Sequence, residues 1–279
     1  MRVCRSLNKI KRRGFIEPNS MVLGDCLEVM PLIQGGGIDL CLTDPPYGSS
    51  KCRWDSVIPL HNMWVCLNKN VKSDGVVAIF GTEPFSSQLR ISNIEDFRYD
   101  WYWEKDKGAN WMFGNSQPLK VIEVVSVFYK KKPLYNPQKT ARKAGAHQGH
   151  KYKNPSKISN HVKAVMGESW KETPLDETQN YHGKDYEPDK LLPRQRLYFP
   201  REQRGKVHDT QKPVKLCEYL IKTYTNEGDL VLDFAAGSFT TAIACMNTNR
   251  KFIMIENDKE FFEAGVNRVK KHWEAQRTK

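Results

Sequence analysis

An apolar run that stops at an acid, two prolines and an aromatic ring constrains this chain more than any other stretch. Residues 40–47 read Leu-Cys-Leu-Thr-Asp-Pro-Pro-Tyr. The apolar part has no polar face, which predicts a strand buried on both sides, as in a parallel sheet. Pro45 and Pro46 have no N–H to donate and cannot extend a ladder. The chain must turn stiffly at the strand's C-terminal end, and in open α/β sheets that edge holds ligands. A carboxylate, a rigid carbonyl and a ring face suit a planar group bearing an NH2. Asp44 and the Pro45 carbonyl each accept one N–H, and Tyr47 stacks on the plane.

The flanking segments alternate strand and helix, the signature of a parallel sheet. A short strand over 20–24 ends in Gly24-Asp25, and a helix over 26–33 puts Leu27, Met30 and Ile33 on one face. After a polar loop at 48–55, the pattern predicts a helix over 57–68, a strand over 75–80 and a helix over 84–94. Residues 99–104 and 121–129 read as two strands without a helix between them, so they pair antiparallel at a sheet edge. Their joining loop, 105–120, carries Trp111, Met112 and Phe113. Large apolar residues in a long loop need a reason. Either they cover a core edge or they line a nucleotide pocket.

The rhythm breaks at residues 130–163, which hold ten Lys or Arg and no Asp or Glu. Tyrosines and histidines are interspersed, and Arg194, Arg196, Arg201 and Arg204 add a second cationic cluster. With a net charge of +12, this distribution points to a polyanion, because lysines and arginines displace counterions from phosphates. We expect residues 136–206 to form an inserted region that reads nucleic acid. Lys139, Arg142, Lys143, Lys151, Lys153, Arg194 and Arg196 are its contact candidates, with Trp111 and Phe113 as further ones outside it. Residues 1–135 and 207–279 then form the two halves of one α/β domain. Residues 1–13 are expected to be a loose basic arm that touches phosphates or has no role. No apolar run reaches the roughly 20 residues of a membrane span. The seven cysteines include no C-x-x-C pair, which argues for a reducing, cytoplasmic setting and against a zinc site. No histidine has a convincing metal partner.

The rhythm resumes after residue 208. A helix over 214–225 follows Pro213, then a strand over 230–234, a small-residue loop over 235–241 and a helix through 247. A strand over 251–256 and a long helix over 258–276 close the chain. Gly237 lets a ligand approach the backbone, and the following helix start offers free N–H groups. Glu256 lies nineteen residues beyond Gly237, placed to bind two ribose hydroxyls. The loop lacks the full glycine fingerprint for a pyrophosphate, which favours S-adenosylmethionine over a dinucleotide.

Together these segments resemble the amino-methylating DNA methyltransferases of the permuted β class. Asp44-Pro45-Pro46-Tyr47 matches the catalytic motif, and Gly24-Asp25 the upstream element that contacts cofactor. Residues 233–241, from Asp233 to Thr241, look like the adenosylmethionine loop, and residues 208–213 like the motif before it. Val121-Ile122-Glu123 and Phe128-Tyr129-Lys130 resemble the strand before the target-recognition region. The order of catalytic motif, recognition region and cofactor loop is diagnostic. The resemblance implies a Rossmann-like, mostly parallel α/β sheet with the basic region inserted in it. It implies S-adenosylmethionine as cofactor, with no metal, held by Asp25, Asp44, Thr210, Lys212, Asp233, Phe234, Ala235, Gly237, Ser238, Thr240, Glu256 and Asn257. Lys212 reads equally as a group near a phosphate or as a solvated lysine at a helix start.

The implied reaction is methylation of adenine N6 in double-stranded DNA. Asp44, Pro45, Pro46 and Tyr47 act on a base flipped out of the stack. Adenine is preferred because residue 44 is Asp, where cytosine-N4 relatives more often have Ser. Cytosine-N4 methylation, RNA or protein-amide methylation, and an inactive DNA-binding homologue stay open. So do a homodimer, a cognate restriction endonuclease, and a bacterial or phage source. Three positions depart from the family pattern: Phe239 replaces a glycine, Ala235 a proline and Ile122 a histidine. Phe239 has the bulk to crowd the methionine or adenosine part of the cofactor, yet an active enzyme is the favoured reading, since Asp44, Tyr47, Asp233 and Glu256 are retained.

Overall fold

The computed structural model describes residues 1–33, 35–50, 52, 55–141, 187, 189–202 and 211–278. These fall into two compact units, residues 1–138 with 194–279, and residues 139–193.

In the first unit, β1 (Arg2–Cys4) and α1 (Leu7–Arg13) lead into β2 (Ser20–Leu23). The expected loose arm is therefore ordered. β1 pairs in parallel with β2, Ile10 is buried, and the Arg5 guanidinium clamps Glu263 through two hydrogen bonds of 2.6 and 2.9 Å. The basic residues had masked an apolar pattern of Val3, Cys4, Leu7 and Ile10. Helix α2 (Cys26–Val29) is shorter than expected and tightens into a 3₁₀ turn at Met30–Leu32, because Pro31 cannot donate to a longer α-helix.

Then follow β3 (Ile38–Thr43), α3 (Leu60–Asn70), β4 (Val71–Gly81), α4 (Phe85–Ser92), β5 (Phe97–Ala109) and β6 (Lys120–Phe128). The second unit holds a small antiparallel pair, β7 (Thr140–Ala141) with β8 (Lys190–Leu191). Back in the first unit come β9 (Arg196–Tyr198), α5 (Val214–Tyr224), β10 (Leu230–Asp233), α6 (Thr240–Asn247), β11 (Lys251–Glu256) and α7 (Lys259–Arg277).

The nine-stranded sheet has the order β1-β2-β11-β10-β3-β4-β6-β5-β9. It is parallel from β1 to β4, and β6 is antiparallel to both β4 and β5. That is the Rossmann-like, mostly parallel α/β architecture expected, with the aromatic strands paired antiparallel and one short strand, β9, beyond them at the edge. One face packs Met63, Trp64, Leu67, Phe85 and Leu89 from α3 and α4; the other packs Leu216, Leu220, Ala242, Phe262 and Val266 from α5 to α7. The two chain halves meet where β3 lies beside β10, with Leu40 opposite Val231 and Cys41 opposite Leu232. Strand order reverses there, and such a switch point opens a crevice at the carboxyl ends of the strands.

The ends of the expected insertion belong to the first unit. The Asn136 side chain donates to the carbonyls of Lys222 and Thr225, both at 3.2 Å. Residues 196–198 form an edge strand, parallel to β5 and held by buried Leu197.

Candidate active site

The crevice is a cavity of about 840 Å³. One wall comes from β3 and the loop behind it; the other comes from β10, β11 and the turns that follow them. Asp44, Pro45, Pro46 and Tyr47 line the first wall, as the sequence predicts. Asp25, Asp233, Phe234, Ala235, Gly237, Ser238, Thr240, Glu256 and Asn257 line the second or its rim. Of the expected cofactor residues, Lys212 also lines the cavity, and Thr210 lies outside the described residues.

On the second wall, Gly237 takes a left-handed φ of 48°. Its N–H donates to Glu256 Oε2 at 2.7 Å, and Asp258 N–H donates to Glu256 Oε1 at 2.7 Å. Burial raises the Glu256 carboxyl above its ordinary value, and those two amides work against the rise. Asp25 caps α2 by accepting from Leu27 N–H at 2.8 Å. Arg268, from α7, donates to the Ser238 carbonyl and to Thr240 Oγ1, each at 2.9 Å, and so props the loop from behind.

Phe239 does not enter the cavity. Its φ is 58°, the conformation a glycine takes at low cost, but its ring is fully buried in the core. It packs edge-on against Phe262 with ring centroids 5.7 Å apart. Gly265 makes the room: a Cβ there would fall 2.8 Å from the ring. The expected crowding is thus absent, because α7 lacks a side chain where the ring needs space.

The first wall is a cluster of ionised side chains. Asp44 accepts from the Tyr47 hydroxyl on Oδ1 and from the Lys212 ammonium on Oδ2 at 2.5 Å. Lys212 Nζ also lies 3.2 Å from Glu123 Oε2, as an ion pair without hydrogen-bond alignment. Glu123 pairs in turn with Lys105. The side chains of Lys212, Glu123 and Lys105 are only 7%, 13% and 8% exposed. Burial works against the charge of Lys212, but Asp44 and Glu123 outweigh it and hold its pKa above the ordinary value. Burial likewise opposes ionisation of Glu123, and Lys212 and Lys105 reverse the balance and lower its pKa.

Tyr47 stacks on Phe85 with ring centroids 5.2 Å apart. Its loop hangs on Asp55, a residue the sequence reading passed over. Asp55 accepts the backbone N–H groups of Tyr47, Gly48 and Ser50 at 2.8, 2.9 and 2.6 Å. Burial alone would raise its pKa, but the Ser50 hydroxyl and these backbone donors lower it. An Asp a few residues beyond a Pro-Pro turn was the available signal.

One buried carboxyl joins the two walls. Asp233 Oδ1 accepts from Thr43 Oγ1 at 2.8 Å and from Ala235 N–H at 3.2 Å, and Oδ2 accepts from Thr241 Oγ1 at 2.7 Å. Burial pushes its pKa up to about 7 against those hydrogen bonds.

The expected DNA contacts lie elsewhere. Trp111 and Phe113 are 78% and 52% exposed, in a 3₁₀ turn at the tip of the β5–β6 hairpin. They neither cover the core nor line the cavity, because both strands run on past the sheet and carry the turn outward. Arg194 is exposed, and Arg196 is exposed beside Glu104 at 3.2 Å. Lys139, in the second unit, pairs with Glu187 at 3.1 Å. Arg142, Lys143, Lys151 and Lys153 lie outside the described residues. Among the described residues, no group of three or more His, Cys, Asp or Glu is placed to hold a metal ion, and no helix is long and apolar enough to cross a membrane.

Residues 38–267 match the family model described as DNA methylase, of the N6/N4 type. The chain is 26% identical over 281 residues to the DNA adenine methyltransferase YhdJ of Escherichia coli K12, covering 93% of this chain and 86% of the relative. Among solved structures, the M1.HpyAVI–SAM complex superposes with a TM-score of 0.58 at 22% identity, covering 89% of this chain and 98% of that one. The PvuII DNA methyltransferase, cytosine-N4-specific, gives a TM-score of 0.60 at 18% identity, covering 93% of each chain. These two likenesses bear on the fold.

Proposed function

The chain belongs to the N6/N4 DNA methylase family, and from that premise we propose that it methylates N6 of adenine in double-stranded DNA, with S-adenosylmethionine as methyl donor. One observation carries the reading: Asp44 faces the same cavity as Gly237 and Glu256. A site for a planar amine and a site for a nucleoside thus share one space. The volume of about 840 Å³ falls within the range of small-molecule pockets.

The second wall fits the donor. Glu256 suits the ribose hydroxyls, and Gly237, with no side chain, lets the nucleoside approach the backbone. Asp25, Ser238, Thr240 and Asn257 complete the holding surface. When bound, S-adenosylmethionine supplies a methyl group made electrophilic by its sulfonium.

The chain's residues act on the amine. An aryl NH2 is a poor nucleophile because its lone pair is delocalised into the ring. Asp44 and the Pro45 carbonyl accept its two N–H bonds, draw the nitrogen toward tetrahedral geometry and free the lone pair. The nitrogen then bonds to the methyl carbon as the carbon–sulfur bond breaks, and Asp44 takes the proton that the nitrogen sheds. Inside a duplex the amine is out of reach, so the base is flipped into the cavity against the Tyr47 ring. Trp111, Phe113, Arg194 and Arg196 lie on the same unit and are proposed to hold the duplex. Residues 139–193, with Lys139, Arg142, Lys143, Lys151 and Lys153, are proposed to read it. Adenine is favoured over cytosine by the acid at position 44. With DNA as substrate, we place its action in a bacterial cytoplasm.

The test is to incubate the wild type and Asp44→Ala with S-adenosylmethionine and unmethylated genomic DNA, then digest to nucleosides and weigh them. N6-methyladenine from the wild type alone is expected, with a loss of about 10³-fold or more in the variant. N4-methylcytosine would keep the mechanism and overturn the choice of base. No methylated base from several DNA sources would overturn the enzymatic reading.

A further inference from the structure

In this structure the catalytic carboxylate already has partners on both of its oxygens. Tyr47 holds one and Lys212 the other, at 2.5 Å. A carboxylate has about four acceptor positions, so an amine N–H can still find a lone pair. The charge is the difficulty. The target nitrogen becomes positive as it takes the methyl group, and an ammonium 2.5 Å from Asp44 opposes that charge.

Glu123 offers the ammonium another place. It projects from β6 into the same cavity, its Oε2 is 3.2 Å from Lys212 Nζ, and the contact is not yet aligned as a hydrogen bond. A short swing of one flexible side chain would align it. Lys212 is buried between the rings of Phe80 and Tyr47, with its Nζ 5.2 and 5.9 Å from their centroids. It therefore moves between two carboxylates and not out to solvent.

Resting on the methyltransfer reading, we infer that Lys212 is a latch on Asp44 and that Glu123 is its second seat. Asp44 receives the target amine when Lys212 shifts onto Glu123. Glu123 is a positioning residue, since it acts through Lys212 and touches no reacting atom. Lys105, its other partner, keeps Glu123 ionised while Lys212 is on Asp44.

The test compares the wild type with Glu123→Gln and with the paired variant Lys105→Gln/Glu123→Gln. The pair removes a buried charge together with its partner, which guards against a single variant that fails to fold. Three quantities are measured: the single-turnover rate on a duplex that the wild type methylates, the affinity for S-adenosylmethionine by calorimetry, and the thermal midpoint. Each folded variant is expected to lose at least about tenfold in rate while cofactor affinity stays within about threefold. An unchanged rate in a folded variant overturns the latch. A parallel fall in cofactor affinity also overturns it, by placing Lys212 and Glu123 with the cofactor. A wild type that methylates no DNA fails the function itself, and the latch with it.

Discussion

The two walls of the cavity are built by different means. On the β10–β11 side the working groups are mostly backbone: the Gly237 turn, the start of α6, and a Glu256 carboxylate already tied to two amides. On the β3–β6 side they are ionised side chains that hold one another: Asp44, Lys212, Glu123 and Lys105. A backbone turn is fixed by the residues next to it, so the first kind of wall is stiff and local. A buried ion cluster is fixed by topology, and its partners can be exchanged. The difference predicts that substitutions on one side alter turnover, whereas those on the other alter stability and cofactor affinity.

Asp55→Asn is the sharpest way to isolate the wall that carries Asp44. The amide keeps the shape but presents an N–H2 to a backbone donor, so at least one of three loop hydrogen bonds is lost. The Pro-Pro-Tyr turn then loosens around Asp44. Turnover is expected to fall by about 10²-fold, because misplacement of a reacting group by an ångström costs that much. Cofactor affinity, measured by calorimetry, is expected to stay unchanged. A matching fall in affinity would break the division between the walls.

The same division marks what the sequence made legible. The parallel core followed from apolar runs with no polar face, and the turn that lines the cavity opposite Asp44 from Gly237 and Glu256 at a known spacing. Both signals are local. Asp55 was marked only by its place a few residues beyond the Pro-Pro turn, and Glu123 and Lys105 carried no such signal. Asp55 and Lys105 stand among polar residues, Glu123 interrupts an apolar strand, and only the pairing of β6 with β4 and β5 brings Glu123 to Lys212. Strand β1 was missed because six basic residues in 1–13 hid its alternation. The orientation of Phe239 depended on Gly265, in a different helix. Its bulk was visible in the sequence, but its direction was not.

Gly265→Ala tests the cofactor wall through that contact. The added Cβ would lie 2.8 Å from the Phe239 ring and 3.1 Å from the Gly237 carbonyl. Overpacking a fitted core costs about 1–3 kcal/mol, read as a lower midpoint in denaturant. In a Phe239→Gly background, which loses a fully buried ring but gains a residue suited to φ 58°, the added cost of Gly265→Ala should shrink, because the ring that the Cβ strikes is gone. Additive effects in this double-mutant cycle would mean that the ring and the helix do not constrain each other. The single-turnover rate at saturating cofactor should change less than the affinity does, the reverse of the Asp55 result.

Asp233, where the walls meet, gives the last test. Burial raises its pKa to about 7 in the folded chain, against an ordinary value of 3.8. Between those two values the folded state holds a proton that the unfolded chain has released. Stability should therefore fall as pH rises from about 4 to 7 and level off above that window. Asp233→Asn keeps a neutral group of the same shape and cannot titrate, so its stability should change less over the same range. The difference between the two curves is expected to reach at least about 1 kcal/mol, since one unit of pKa is worth about 1.4 kcal/mol. Parallel curves for the two proteins from pH 4 to 8 would show that Asp233 stays ionised. The Thr43 and Thr241 hydroxyls and the Ala235 amide would then be donating to a true carboxylate, and the seam between the walls would be held by charge as the wall that carries Asp44 is.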